Sequence, residues 1–265
     1  MVEEAVETGA SRSSKSAVLT PSQAESKWTP ETVLSSLAYR PQVGSASPIP
    51  FFHLIERLKT SKREGWRRFK IMHGESIADH MYRMSILTML APPALSSRLN
   101  IPHCTKMALI HDMAEALVGD ITPVDGVSKS EKSRREEETM DYLCGDLLGN
   151  VAGGEQGAAI KAVWREYEDS QTLEAKFVHD VDKMELLLQM VEYERSQGGD
   201  VDLGEFTYVA TRIELPEMKQ WAEEIIAERR AYWKSVGKVP YDEAQGIGIQ
   251  QIEQMNEYYG KEDSI

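Results

Sequence analysis

The sequence lacks several features that would assign it to a special class of protein. Its 265 residues include two cysteines, Cys104 and Cys144, too few for a disulfide framework, which predicts a reducing compartment. No apolar run approaches the roughly 20 residues of a membrane-spanning helix. The acidic N-terminus carries neither a secretory nor a mitochondrial signal. We therefore expect a cytoplasmic protein with no membrane contact, with the nucleus as the alternative compartment.

The chain is also poor in positive charge. It has 30 Lys and Arg against 43 Asp and Glu, which gives a formal net charge of −13. Binding of long nucleic acids depends on a concentrated basic surface, so no nucleic-acid polymer is expected as a partner. A small phosphorylated molecule is compatible with this charge because only its pocket must be locally positive.

The pattern of apolar residues predicts an all-α fold. Residues 1–48 are rich in Ser, Ala, Thr, Glu and Pro and have little periodicity, which predicts a mobile N-terminal extension with a short helical turn near 31–38. We expect one domain over 49–237 and a helical tail over 238–265. Helical periodicity predicts helices at 50–60, 76–91, 101–118, 128–148, 155–168, 172–196 and 216–236, with a further one at 241–259.

A histidine and an aspartate stand side by side in the apolar run 108–117. At roughly 100° of rotation per helical residue, His111, Asp112 and Glu115 share one face of the predicted helix. A buried cluster of imidazole and carboxylate groups is tolerated mainly when it is paired or bound to a cation. The cluster therefore predicts a metal site.

Two further segments offer metal-ligating side chains. His80 lies on the core-facing stripe of its predicted helix, where a lone histidine is more often a core residue than a ligand. Asp180 and Asp182 lie two residues apart on a later helix, and each shares a stripe with apolar residues. Periodicity does not choose between the two aspartates.

The segments 75–84, 111–121 and 131–138 together resemble the HD-domain superfamily of metal-dependent phosphohydrolases, and within it the 5′-deoxynucleotidase branch. The resemblance covers about 51–194. It implies an HD-domain helical bundle with the metal between helices. It also selects Asp182, which precedes a Leu-rich helix that ends in Glu-Tyr-Glu at 192–194.

The resemblance implies a set of metal and catalytic residues. The primary ligands are His80, His111, Asp112 and Asp182. Glu115 and Asp120, with the carbonyl of Ile121, hold substrate-side water or a second divalent cation, and Glu115 and Asp120 are the catalytic candidates. Two imidazoles and two carboxylates suit Mn²⁺, Co²⁺, Fe²⁺, Ni²⁺ or Zn²⁺, with Mg²⁺ left open. Such a cation lowers the pKa of a bound water enough to supply hydroxide near neutral pH.

Phosphate recognition requires cationic partners. The basic segment 62–70 and the helix that follows Lys129 are the sources, and the substrate-binding candidates are Trp66, Arg68, Lys132 and Arg135. In the family pattern an Arg stands three residues after this Trp, where this chain has Phe69, so Arg68 or Lys70 would substitute. The alternative for 132–138 is a solvated charged helix.

These residues lead to a functional expectation. The protein is expected to hydrolyse deoxyribonucleoside 5′-monophosphates to deoxynucleosides and phosphate, as a homodimer. The alternatives are a phosphodiesterase or nucleoside triphosphate hydrolase on the same scaffold, and a catalytically silent helical scaffold or regulatory binding protein.

Overall fold

A computed structural model describes residues 27–240 of the chain. The helix predicted at 241–259 lies outside the described residues. Within 27–240 the backbone forms helices, turns and one isolated antiparallel bridge between Lys62 and Ser76. The all-α prediction is confirmed. None of the described helices has the length and apolar composition of a membrane span.

The helices follow one another along the chain with short connections. Three segments of other helical types interrupt them: a π-helix at Tyr142–Leu147 and 3₁₀ segments at Ala152–Gly154 and Gly204–Arg212. The α-helices are α1 (Pro30–Leu34), α2 (Ile49–Ile55), α3 (Arg57–Thr60), α4 (Glu64–Arg67), α5 (Ile77–Met89), α6 (Pro93–Ser96), α7 (Ile101–Ala108), α8 (Glu115–Val118), α9 (Lys129–Asp141), α10 (Glu155–Asp169), α11 (Leu173–Ser196) and α12 (Pro216–Ser235).

The long helices form where the sequence predicts them because their ends carry local signals. The side chain of Ser76 accepts the N–H of Asp79, whose carboxylate accepts the N–H of Ser76, so a reciprocal capping box starts α5. At the start of α11 the hydroxyl of Thr172, the N-cap residue, accepts the N–H of Ala175. The predicted ranges for α5, α10, α11 and α12 agree with the observed ends to within two residues.

The core surrounds α11, against which α5, α7, α10 and α12 pack. Phe177, Val181 and Leu187 of α11 are fully buried, on more than one face of the helix. A helix that is buried on several faces reaches all of its neighbours, so side chains from α5, the α7–α8 region and α12 all meet α11.

The described part of the predicted N-terminal extension contacts the bundle. Helix α1 packs against α8 and α9, and its Leu34 is buried in the core. The Arg134 guanidinium donates a hydrogen bond of 2.9 Å to the carbonyl of Trp28. The division of the chain at 48 and at 237 stays a prediction.

Candidate metal centre

The His111–Asp112 pair lies between two helices, so the single helix predicted over 101–118 is wrong. Helix α7 ends at Ala108, tight turns follow, and α8 begins at Glu115. The carbonyl of Ala108 accepts the ring Nδ1–H of His111 at 2.9 Å, where a continuous helix would have it accept the N–H of residue 112. The histidine side chain thus competes with the helical backbone and ends α7.

The structure brings the four predicted metal ligands together. Asp112 Oδ2 lies 3.2 Å from His111 Nε2 and 3.9 Å from His80 Nε2. His80 Nε2 lies 3.2 Å from Asp182 Oδ1. One potential ligand atom each from His80, His111 and Asp112 lies within 4.8 Å of the others. Helix α5, the α7–α8 turn and helix α11 therefore converge on one point, as predicted for a site between helices.

The partners of the two Nδ1 atoms show where the imidazole lone pairs lie. His80 Nδ1 lies 2.6 Å from Glu185 Oε2, and His111 Nδ1 contacts the Ala108 carbonyl. Both partners are acceptors, so each Nδ1 carries a proton, and each Nε2 is the nitrogen that can offer a lone pair to a cation at the cluster. Both Nε2 atoms are buried and have no hydrogen-bond partner among the described residues. Two imidazole nitrogens without hydrogen-bond partners, beside two carboxylates, form a set of ligands that suits a divalent cation.

The electrostatics of the cluster also favour a bound cation. Burial and Arg63 lower the pKa of His80, but the Glu185 and Asp182 carboxylates outweigh them and raise it to about 10. Burial opposes ionisation of Asp182, but His80 and His111 hold the pKa of this carboxyl far below its usual range. A proton on His80 thus stands in for positive charge at the cluster, and a bound metal ion would displace it.

The two candidate aspartates of α11 have different surroundings. Asp180 is fully buried and accepts the N–H groups of Glu214 and Leu215, at 3.0 and 2.8 Å, directly before α12. Asp182 faces His80, and the Tyr167 hydroxyl lies 3.4 Å from its Oδ2. Asp180 therefore holds the segment directly before α12, and Asp182 lies at the cluster.

A cavity of about 1010 Å³ opens from this cluster. Asp112, Glu115, Asp120 and Asp182 form its acidic floor. Ile121 and the loop after it form part of its rim. The cationic side chains that border it are Arg63, Arg67, Arg68, Lys129, Lys132, Lys183, Arg212 and Lys219.

Arg63 is the cation nearest to the acidic floor, and the sequence analysis did not single it out. Its Nη1 lies 3.4 Å from Asp112 Oδ2 and 3.9 Å from Asp120 Oδ1, and 14% of its side chain is exposed. Burial lowers the pKa of Arg63, but the Asp120, Asp112 and Asp182 carboxylates outweigh this effect and raise it. The basic segment 62–70 is the sequence signal, but a sequence does not show which of its cations is turned inward.

Glu115 and Asp120 both line the cavity. Glu115 is buried, and its Oε2 has no hydrogen-bond partner among the described residues. Burial, with the nearby Asp112 and Asp120 carboxylates, raises its pKa well above the ordinary value. Gly119, at φ +78°, ends α8 and turns Asp120 back, so that Asp120 Oδ2 accepts the N–H of Glu64 at 2.5 Å. Asp120 thereby fixes the start of α4, directly after Arg63.

Trp66 borders the cavity, but most of its ring is covered. Its centroid lies 5.2 Å from that of Tyr193 and 4.7 Å from that of Phe206, and its Nε1–H donates to Glu75 at 2.9 Å. Phe69 packs against Phe206 from the other side. Trp66 is thus part of an apolar wall and exposes too little of its face to be a broad stacking platform.

The remaining predicted substrate residues divide into two groups. Arg68 and Lys132 border the cavity, where Arg68 pairs with Glu205 and Lys132 Nζ lies 3.3 Å from Glu136. Arg135 is not among the residues that line the cavity. Its guanidinium pairs with Glu131 at 2.8 Å and lies over the Trp28 ring.

Sequence reasoning also missed Tyr167 of α10. Its ring centroid lies 4.9 Å from that of His111 and 3.9 Å from that of His179, and its hydroxyl approaches Asp182. The aromatic ring therefore packs against the imidazole of His111. No motif marks this tyrosine, since it lies in an ordinary amphipathic helix.

Comparison with known proteins places this arrangement in a family. The HD domain family pattern matches residues 55–221. The 5′-deoxynucleotidase hdd1 of Schizosaccharomyces pombe is 46% identical over 193 residues, which are 72% of this chain and 95% of that protein. The human 5′-deoxynucleotidase HDDC2 is 37% identical over 199 residues, 75% of this chain and 94% of that protein.

Solved structures show the same fold. The HD domain-containing protein YGK1 (YGL101W) matches with a TM-score of 0.56 and 30% identity, over 78% of this chain and 100% of that one. A structure described as a predicted metal-dependent phosphohydrolase from Magnetospirillum magnetotacticum MS-1 matches with a TM-score of 0.53 and 26% identity, over 69% of this chain and 92% of that one. With the family pattern over most of its helical bundle, this chain belongs to the HD-domain family.

Proposed function

We propose that the protein is a metal-dependent 5′-deoxynucleotidase, which hydrolyses deoxyribonucleoside 5′-monophosphates to deoxynucleosides and phosphate. The observation that carries the proposal is the pair of buried, unpartnered Nε2 atoms of His80 and His111 beside Asp112 and Asp182. The match to this chain extends over nearly the whole length of hdd1 and of human HDDC2, which are both named 5′-deoxynucleotidase.

His80, His111, Asp112 and Asp182 would hold the primary cation. The chemistry that such a cation supplies is Lewis-acid polarisation of the phosphoryl group and activation of a water molecule near neutral pH. The mixed nitrogen and oxygen set suits Mn²⁺, Co²⁺, Fe²⁺, Ni²⁺ or Zn²⁺, with Mg²⁺ as a further candidate. Glu115, Asp120 and the Ile121 carbonyl are the candidate ligands for a second divalent cation.

Arg63 is assigned to the phosphate. Its guanidinium already lies against Asp112 and Asp120, so a dianionic phosphate bound at the acidic floor would meet a fixed fork of N–H donors. Asp120 holds Arg63 in place through the start of α4. Positive charge at this point offsets the repulsion between the phosphate and the carboxylates beneath it.

Glu115 is assigned to proton transfer. Burial beside the Asp112 and Asp120 carboxylates raises the pKa of Glu115, and a raised carboxyl pKa favours a role as general acid or base. Oε2 of Glu115 has no protein partner among the described residues, which leaves it available to a water molecule or to the 5′-oxygen of the leaving nucleoside.

The apolar wall of Trp66 and Phe206 is assigned to the sugar. The Trp66 Nε1–H already donates to Glu75, so this wall offers no partner to a 2′-hydroxyl. Burying a hydroxyl without a partner costs about 1–3 kcal/mol, which corresponds to a deoxy preference of about 10- to 100-fold. Arg68 and Lys132, at the mouth, are assigned to attracting the nucleotide.

We further propose that the protein is a cytoplasmic homodimer, with the nucleus as the alternative compartment. Tyr82, Ile86 and Met89 are exposed at helical spacing on α5, and Leu90 is exposed directly after it. Leu109 is exposed directly after α7, which packs against α5. A contiguous apolar face of this kind is typical of an association surface. Light scattering of the protein and of an Ile86→Glu variant tests this, since a dimer through this face should dissociate.

Phosphate release across a panel of nucleotides, with and without a chelator, tests the activity. We expect metal-dependent release from 5′-monophosphates, faster for deoxyribonucleotides and slow for 3′-monophosphates. Preferential cleavage of cyclic diesters or triphosphates would favour the phosphodiesterase or triphosphate hydrolase alternative. A protein that binds metal and releases no phosphate from any nucleotide would favour the silent scaffold.

A further inference from the structure

Helix α11 contacts both ring nitrogens of His80. Asp182 lies 3.2 Å from Nε2, and Glu185 lies 2.6 Å from Nδ1. The two acids are three residues apart, so they project from the same side of α11 on successive turns. One helix therefore carries a candidate ligand of the metal and also the carboxylate that holds the imidazole of another ligand.

Glu185 is itself held in place from outside the cluster. It is fully buried, and its second oxygen, Oε1, accepts the Arg83 Nε–H at 2.8 Å. Arg83 also pairs with Glu192 at 2.6 Å and donates to Gln189 at 2.9 Å, both further along α11. A guanidinium with several partners on one helix has little freedom to move, so Glu185 is fixed at both of its oxygens.

The two histidines of the cluster differ in the group that accepts their Nδ1–H. His111 Nδ1 donates to the neutral carbonyl of Ala108, whereas His80 Nδ1 donates to a carboxylate. A carboxylate partner makes an imidazole a stronger metal ligand than a carbonyl partner does, because negative charge on the acceptor increases the basicity of the opposite nitrogen. His80 is thereby placed as the stronger of the two nitrogen donors.

We propose that Glu185 is a positioning residue of the metal centre: it orients His80 through Nδ1 and strengthens Nε2 as a ligand, and Arg83 keeps it in place. The proposal rests on the metal-dependent function proposed above. Loss of an outer-shell partner of this kind typically lowers metal affinity about 10- to 100-fold.

The experiment compares Glu185→Gln with Glu192→Gln. Glutamine keeps the size of Glu185 and one acceptor oxygen but removes its charge, whereas Glu192→Gln removes the other carboxylate of Arg83 and leaves His80 untouched. Co²⁺ affinity is measured by competition with a chromophoric chelator, together with the visible absorption of the bound Co²⁺. We expect Glu185→Gln to bind Co²⁺ about 10- to 100-fold more weakly with a shifted absorption band, and Glu192→Gln to match the parent protein.

Two further variants guard against misfolding of Glu185→Gln. Glu185→Asp keeps the charge and should bind Co²⁺ with intermediate affinity. Arg83→Gln changes a partly exposed residue and should weaken Co²⁺ binding because Glu185 loses its anchor. Should neither Glu185 variant fold, weaker binding by Arg83→Gln than by Glu192→Gln supports the proposal, and equal binding overturns it.

Unchanged Co²⁺ affinity in a folded Glu185→Gln protein would overturn the proposal, as would an equal loss in Glu192→Gln. The metal titration needs no nucleotide, so it is independent of the substrate. A protein that binds Co²⁺ as expected and hydrolyses no 5′-monophosphate would refute the proposed function and leave the role of Glu185 intact.

Discussion

Substitution of Asp180 and Asp182 by Asn, one at a time, should separate folding from metal binding within two residues of α11. The Asp180 carboxylate accepts the N–H groups of Glu214 and Leu215 and so holds the segment directly before α12. Asn keeps one acceptor oxygen but loses the negative charge. Leaving a buried hydrogen-bonding group without its partner costs about 1–3 kcal/mol, so we expect Asp180→Asn to lower the free energy of unfolding by about that amount. Metal content should remain unchanged.

Asp182→Asn should have the opposite profile. Asp182 is partly exposed at the cavity and holds no backbone N–H group, so the metal-free protein should lose stability only through the ion pair of Asp182 with His80. Metal affinity should fall by more than the roughly 100-fold that follows loss of an outer-shell partner, because a direct ligand is lost. Turnover of deoxynucleoside 5′-monophosphates should fall with it.

Three measurements on each variant decide the matter: urea unfolding with chelator present, metal content after dialysis, and kcat with saturating Mn²⁺ or Co²⁺. The reasoning is refuted if Asp182→Asn retains metal and turnover while Asp180→Asn loses both. That result would transfer the ligand role to Asp180. A loss of stability confined to Asp182→Asn would refute the structural role assigned to Asp180.

The other predictions concern the cavity floor and wall. His111→Ala should lose metal-dependent hydrolysis and also stability, because the remaining polar groups are left buried and poorly paired; full metal content and turnover would contradict the site. Glu115→Gln should retain the primary metal and lower kcat about 10²- to 10⁴-fold, and complete loss of that metal would make Glu115 a ligand. Arg63→Gln should raise KM for 5′-monophosphates and lower kcat/KM about 10- to 100-fold, because one charge-assisted hydrogen bond, of about 1.5–3 kcal/mol, is lost. An unchanged kcat/KM would exclude contact between Arg63 and the phosphate. Trp66→Ala should lower the ratio of kcat/KM for deoxyribonucleotides to kcat/KM for ribonucleotides. An unchanged ratio would place the sugar elsewhere.

Local signals explain why much of the fold could be predicted from the sequence. Helices α5 and α11 begin at capping side chains whose partners are three residues away, and their apolar spacing is set by the helix itself. The α7–α8 break could not be read in this way. It depends on the His111 ring reaching the Ala108 carbonyl, a side-chain contact that apolar periodicity does not record. The same run of apolar residues would predict a continuous helix without it.

The site shows the same division between local and tertiary information. The four candidate ligands were predicted from motifs, but Arg63, the cation proposed to bind phosphate, was not. Arg63 and Arg68 lie five residues apart in one basic segment, and what separates them is that Arg63 is turned toward Asp112 and Asp120 whereas Arg68 pairs with Glu205. Which cation faces inward is set by the contact between Asp120 and α4, which comes from a distant part of the chain.

The acidic side chains of α11 show how a chain of net charge −13 can bury carboxylates. They also show which carboxylate needs a partner that is not part of the protein. Asp180 is satisfied by backbone N–H groups before α12, Glu185 by Arg83 and His80, and Glu194 by Arg229 and the indole of Trp233. Each of these three has strong donors within the protein, as a buried acid requires. Asp182 instead faces an imidazole nitrogen and, at 3.4 Å, a tyrosine hydroxyl. Of these four acids, the one without strong donors of this kind is therefore the one that lies beside the unpartnered Nε2 atoms of His80 and His111, and a divalent cation would satisfy the carboxylate and both nitrogens together.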